Sequence, residues 1–181
     1  MLHRENVVLL DASFNVIGEM AKAEVHSMST PLHLGFSSYI FNEQRQLLIT
    51  RRAIDKQTWP GVWTNSVCGH PLPGERPVEA VRRRSGDELN MHVSNVTIID
   101  DNFHYMFRDT SGIVENEYCP VFAAHAASDV HPNPDEVMEH QWIALPDLLT
   151  VIKLTPFVFS PWIVKQLNKS SIRDNLLNFL K

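Results

Sequence analysis

The chain has 181 residues, 44% of them hydrophobic and 9% aromatic, with a formal charge of −5. That suits one compact domain with a real core and excludes a mainly disordered chain. The acidic balance argues against a nucleic-acid binder, so an anionic ligand would need a local basic pocket or a metal. Two cysteines, Cys68 and Cys119, are too few for a disulfide framework and suit a reducing compartment. The stretch from Met1 to Asn6 leads into only four apolar residues, Val7 to Leu10, which is too short for a signal peptide. No apolar run approaches the ~20 residues of a membrane span. The expectation is a cytoplasmic protein, monomer or homodimer, with no nucleic-acid and no membrane partner.

In chain order, Val7 to Leu10 reads as a short strand, followed by a turn over Asp11 to Asn15. A polar segment, Lys22 to Thr30, leads to a β-rich run, Leu32 to Phe41, and a turn from Asn42 to Gln46. Leu47 to Arg52 is its expected hairpin partner. Trp59-Pro60-Gly61 marks a turn and Thr64 to Cys68 a short strand. Glu75 to Leu89 reads as a helix with a thin apolar stripe of Val78, Val81 and Leu89, weakened at Gly86 by about 1 kcal/mol and closed by Asn90 as a left-handed cap. Phe103, Tyr105 and Phe107 alternate with His104 and Met106, Ser111-Gly112 turns, and Val114 to Ala124 runs back. Gln141 to Ile143 is a last strand, and Ser160 with Pro161 opens a C-terminal helix. With no repeat or linker, this order points to one α+β domain, mixed β-sheets sandwiched by helices.

Four constellations carry chemistry. In Thr64-Asn65-Ser66-Val67-Cys68-Gly69-His70-Pro71, an extended backbone turns Cys68 and His70 to one face. A thiol beside an imidazole is a nucleophile–base pair, a metal site or a proton donor beside a metal, against the plainer alternative of a buried cysteine and a loop histidine. Glu115 and Glu117 share a strand face and repel unless a cation or shared proton lies between them; a solvated edge is the alternative. His26 and His33 add two imidazoles, and His26, His33, His70, Glu115 and Glu117 together suit a divalent metal such as Mn²⁺ or Zn²⁺ if they converge. Finally, Gly69, Glu75, Arg83, Asp87 and Glu88 echo the spacing of a Nudix box, with Arg84 where the box has an acid. Arg84 and Glu88, four apart on a helix, are either a surface ion pair or a Mg²⁺ ligand beside a phosphate contact. Lys22, Arg51, Arg52 and Lys56 are locally concentrated cations, either a solvated loop or a diphosphate pocket.

TWPGVWTNSVCGHP, the degenerate Nudix box, SGIVENEYCPVF and FSPW resemble the type I isopentenyl-diphosphate Delta-isomerase family, in its short bacterial form, along nearly the whole chain. The resemblance implies a single Nudix-like domain over 1–181, with a core at about 30–165 and the N-terminal segment and C-terminal helix as covers. It implies interconversion of isopentenyl and dimethylallyl diphosphate. It implies Cys68 and Glu117 as catalytic groups with Tyr105 beside them, and His26, His33, His70, Glu115 and Glu117 around Mn²⁺, Zn²⁺ or Mg²⁺. Glu88 would hold a Mg²⁺ bound with the diphosphate; Lys22, Arg52, Lys56 and Arg84 would bind the diphosphate; Trp162 would cover the isoprenyl tail. Moving the double bond takes protonation of an alkene and loss of a proton from C2, so acid and base on opposite substrate faces divide the work. The working hypothesis gives delivery to Glu117 with Tyr105, and the C2 proton to Cys68. A Nudix diphosphate hydrolase, a non-catalytic metal- or diphosphate-binding module and a thiol hydrolase on Cys68 and His70 are the rival readings.

Overall fold

The computed structural model describes residues 5–181; of the N-terminal reading, Met1 to Arg4 lie outside them. The elements are β1 (Asn6–Leu10), β2 (Val16–Ala21), α1 (Lys22–Val25), β3 (His33–Leu34), β4 (Phe36–Phe41), β5 (Gln46–Arg52), β6 (Trp63–Thr64) and β7 (Val67–Gly69). Then follow α2 (Pro77–Leu89), β8 (Val93–Asp100), β9 (His104–Arg108), β10 (Val114–Tyr118), β11 (Val121–Ala126) and β12 (Val137–Ala144). The chain ends with α3 (Leu145–Leu154), a 3-10 turn at Pro156–Val158, α4 (Pro161–Asn168) and α5 (Ser170–Phe179). This is the expected α+β class. One sheet runs β2-β1-β3-β10-β9; the other runs β12-β5-β4-β11-β8, with β6 on β5 and β7 on β4.

Two runs expected as single strands each serve both sheets. Leu32 to Phe41 breaks at Gly35 into β3 and β4, and Val114 to Ala124 breaks at Cys119-Pro120 into β10 and β11. The two crossings lie side by side: β3 is parallel to β10 and β4 to β11, with Gly35 N–H donating to Tyr118 O at 2.9 Å and Ser37 N–H to Pro120 O at 3.0 Å. Proline lacks the ladder donor, so the break at Pro120 is where pairing can change partners. The expected strand Thr64 to Cys68 is likewise two short pieces, β6 and β7, joined through the buried Asn65 and Ser66.

β4 is buried on both faces, and its side chains alternate with period two. Phe36 and Ile40 pack with Leu48, Val81, Leu89 and Phe122 under α2. Tyr39 and Phe41 pack with Leu47, Leu148, Ile163 and Leu176 against the C-terminal helices. The inward face of α2 is Ala80, Val81, Arg84, Ser85, Glu88 and Leu89, so its apolar stripe is thin because two inward positions carry charge. The helix starts two residues later than expected, at Pro77, with the Glu79 carboxylate accepting from the Arg76 backbone N–H at 3.3 Å and from its guanidinium at 2.7 Å; Asn90 closes it at φ 46° as a left-handed cap. Pro161 stands in the first turn of α4, but Ser160 does not cap it with its side chain; its hydroxyl lies 2.8 Å from Thr64 Oγ1 instead.

Candidate active site

A cavity of about 730 Å³ is lined by residues of both sheets and of α2. Three histidines and a glutamate converge at or just behind its lining: His26 just after α1, His33 on β3, His70 just after β7 and Glu117 on β10, with ligand atoms all within 4.8 Å of one another. The parallel β3–β10 ladder sets Glu117 opposite His33. His33 Nδ1 lies 2.9 Å from Pro31 O, which assigns its proton there and turns the Nε2 lone pair inward, 3.2 Å from His70 Nε2. His70 Nε2 is 3.0 Å from Glu117 Oε1. Glu115, one period along β10, brings Oε2 to 3.1 Å from His26 Nε2, and its other oxygen accepts from Thr58 Oγ1 at 2.6 Å. Among the described residues His26 Nε2 and Glu115 Oε2 are buried with no hydrogen-bond partner. Buried polar atoms without partners are costly, and imidazole nitrogens with carboxylate oxygens are the donor set of a divalent cation. This group fits a divalent metal ion, and the backbone carbonyl on His33 and the Thr58 hydroxyl on Glu115 orient its donors from behind.

Burial opposes the charged forms here, but partners decide the outcome. Burial raises the Glu117 carboxyl, and the neighbouring His33 and His70 imidazoles outweigh it, so Glu117 is held well below the usual carboxylate range. Burial lowers the His33 imidazole, yet contact with Glu117 leaves it raised. In His70 burial prevails and the imidazole is lowered.

Lys22, Arg52, Lys56 and Arg84 line the cavity. Lys22 pairs with Glu5 at 2.7 Å. Among the described residues Arg52 has no carboxylate partner; it donates to Thr58 O at 2.8 Å and to Trp59 O at 3.1 Å, with its guanidinium 5.4 Å from the Trp162 ring centroid. Lys56 pairs with Glu136. Arg84 Nη2 donates to Glu88 Oε1 at 2.7 Å and lies 3.3 Å from Glu136 Oε1. Arg84 and Glu88 are 6% and 8% exposed, which corrects the surface-pair alternative: both charges face the cavity from the inward side of α2. Burial raises the Glu88 carboxyl despite the adjacent Arg84. Arg51, by contrast, points away and pairs with Glu139.

Trp162 lines the same cavity and is buried, edge-on to Trp59 at 5.5 Å and stacked on Tyr105 at 5.9 Å. Tyr105 O–H donates to Glu117 Oε2 at 3.0 Å. Cys68 faces the same cavity, its S–H donating to Asn65 Oδ1 at 2.9 Å; burial of the sulfur pushes the thiol up to about 12. Every site residue expected from the sequence except His33 lines the cavity, and His33 stands directly behind His70. Asn65, Thr58, Glu136 and Glu5 were not singled out. Thr58 and Asn65 both lie inside the quoted motif TWPGVWTNSVCGHP, Asn65 three residues before Cys68; nothing local marks Glu136 or Glu5.

A NUDIX domain model matches residues 31–163. An isopentenyl-diphosphate Delta-isomerase of Brevibacterium linens is 52% identical over 161 residues, covering 89% of this chain and 88% of the relative. One of Klebsiella pneumoniae is 47% identical over 176 residues, covering 97% of this chain and 96% of the relative. The chain belongs to the isopentenyl-diphosphate Delta-isomerase family of NUDIX-domain proteins. In solved structures the fold is shared with DR0079 from Deinococcus radiodurans, with a TM-score of 0.68 and 20% identity over 91% of this chain and 98% of that one. It is also shared with a MutT protein from Methanosarcina mazei, with a TM-score of 0.59 and 22% identity over 82% of this chain and 99% of that one. Among the described residues no helix is long and apolar enough to cross a membrane.

Proposed function

We infer that the chain interconverts isopentenyl diphosphate and dimethylallyl diphosphate, moving one proton on and another off while the diphosphate stays intact. The observation that carries this reading is one cavity lined both by Cys68, the Tyr105–Glu117 pair and Trp162 and by the cations Lys22, Arg52, Lys56 and Arg84. Such a lining suits a small ligand with a charged head and an apolar tail.

Lys22, Arg52, Lys56 and Arg84 bind the diphosphate. Arg52, already held by carbonyls and free of any carboxylate partner among the described residues, presents a preorganised donor fork. Glu88 is the proposed ligand for Mg²⁺ carried with the diphosphate, and the histidine–glutamate group takes Mn²⁺, Zn²⁺ or Mg²⁺. When bound, these cations supply fixed positive charge beside the Glu117 carboxylate and offset charge on the diphosphate. Cys68 and the Glu117–Tyr105 pair divide the two proton transfers. The conversion is reversible, so the side that gives a proton in one direction takes it in the other. The Tyr105 hydroxyl holds its proton on Glu117 Oε2, and burial keeps the phenol neutral, well above its ordinary pKa. Trp162 and Tyr105, with Trp59 packed edge-on against Trp162, form an aromatic wall that excludes water, and the Trp162 face stabilises a tertiary carbocation by about 0.5–2 kcal/mol.

The hydrolase alternative is disfavoured by Arg84, a cation where the Nudix box has an acid and one that occupies Glu88. The test uses radiolabelled isopentenyl diphosphate with Mg²⁺ and Mn²⁺, followed by mild acid. Allylic diphosphates solvolyse under those conditions and homoallylic ones survive. Acid-labile label is the expected result; acid-stable label with phosphate released would replace this reading by the hydrolase.

A further inference from the structure

Asn65 is fully buried between β6 and β7 and touches neither the cations nor the histidines. Its Nδ2 donates to two backbone carbonyls, Ser38 O at 3.1 Å and Val67 O at 3.0 Å. Those two bonds fix the amide, because a flipped carboxamide would set its oxygen against two acceptors. Oδ1 is therefore turned to the cavity wall, where three donors reach it: Cys68 S–H at 2.9 Å, Trp162 Nε1–H at 3.2 Å and Thr64 O–H at 3.0 Å.

Resting on the isomerase reading, we propose that Asn65 is a positioning residue for the reaction, its single oxygen setting the Cys68 thiol and the Trp162 indole relative to each other. Three consequences follow from the geometry. First, the thiol and the aromatic face that lines the same cavity are held at rest through one atom, which sets their relative position before substrate binds. Second, a carboxamide oxygen has two lone pairs and here three donors, so the thiol can turn to the substrate without leaving Oδ1 unsatisfied. The thiol is thus aimed at rest and released at little cost. Third, a hydrogen bond accepted from the indole N–H draws electron density into the ring, strengthening the face that meets a cation. The far side of the sulfur is bounded by Ser37 Oγ at 3.8 Å, itself held by Gln166 Nε2 at 2.9 Å. Aspartate in place of Asn65 would keep the acceptor but lose both Nδ2 bonds and bury a charge, so a neutral amide is what the site requires.

The test joins kinetics to indole resonances. With isopentenyl diphosphate as substrate, Asn65→Ala is expected to lower kcat at least tenfold and to leave KM within about twofold. The affinity for inorganic pyrophosphate, which the cations bind without Asn65, stays unchanged. In proton–nitrogen spectra the Trp162 indole peak, identified by its loss in Trp162→Phe, moves in Asn65→Ala and also in Cys68→Ser. Unchanged kcat in Asn65→Ala, or kcat and KM failing together with the indole peak in place, overturns the proposal. If Asn65→Ala does not fold, Cys68→Ser decides: a Trp162 indole peak that ignores the substitution overturns the shared acceptor. A wild-type protein that binds pyrophosphate and isomerises nothing defeats the isomerase reading instead, and the spectra then judge the Asn65 link alone.

Discussion

Glu117 occupies the space that a side chain on Gly35 would need: a Cβ built on Gly35 falls inside van der Waals contact of the Glu117 carboxylate. Gly35 is also the residue where the chain passes from β3 to β4, so the break that divides one expected strand between two sheets makes room for a carboxylate at the meeting point of three histidines. Gly35→Ala is expected to fold, because the obstructing group is a side-chain end, but to push Glu117 off His70 and Tyr105. In the parent protein, saturating Mn²⁺ or Zn²⁺ at a hundredfold excess over Kd stabilises the fold by about 2.7 kcal/mol, a rise in Tm of about 5–10 °C. Thermal unfolding with and without metal checks this, and Gly35→Ala should lose most of the increment.

Arg84 and Glu88 are a buried charge pair, and removing one partner strands the other beside Glu136. Arg84→Ala is expected to destabilise the protein by about 3 kcal/mol, the low end for a broken buried pair because both groups face a cavity. Arg84→Met combined with Glu88→Gln should recover most of that loss while leaving the diphosphate site without its guanidinium. Urea denaturation separates the stability effect from a binding effect measured with pyrophosphate.

Cys68 carries its proton at neutral pH. Its thiol is pushed from 9.0 to about 12, mainly by burial, so the thiolate fraction at pH 7 is about a thousandfold below that of an exposed thiol. A raised pKa shifts the rise of reactivity to higher pH. Alkylation of Cys68, followed by mass spectrometry of its peptide, is expected to be slow at pH 7. It should climb about tenfold per pH unit from 8 to 10 without levelling near 9.

Much of this molecule was readable in the sequence because its determinants are local. Asn90 ends α2 as a cap that tolerates φ 46°, and β4 and β5 follow from apolar runs around an Asn42 to Gln46 turn. Alternation placed Glu115 and Glu117 on one strand face, and Cys68 and His70 on one wall. The sheet switches at Gly35 and Cys119-Pro120 were missed because period-two alternation looks the same whichever sheet a strand joins. β2 was missed because its first residues, Val16 and Ile17, are exposed and show no alternating burial. α3 was missed because Leu145–Leu154 has the apolar content of a strand as well as of a helix. Glu136 and Thr58 reach Arg84 and Glu115 only through the folded chain, over separations that no spacing rule covers.

The central claim is isomerisation with an intact diphosphate. Purified protein with isopentenyl diphosphate, Mg²⁺ and Mn²⁺ in deuterated water, followed by proton and phosphorus NMR together, tests it most directly. The account predicts dimethylallyl diphosphate carrying solvent deuterium, two diphosphate phosphorus signals throughout, and loss of conversion in Cys68→Ala and Glu117→Gln. Phosphate release without a dimethylallyl product would contradict it.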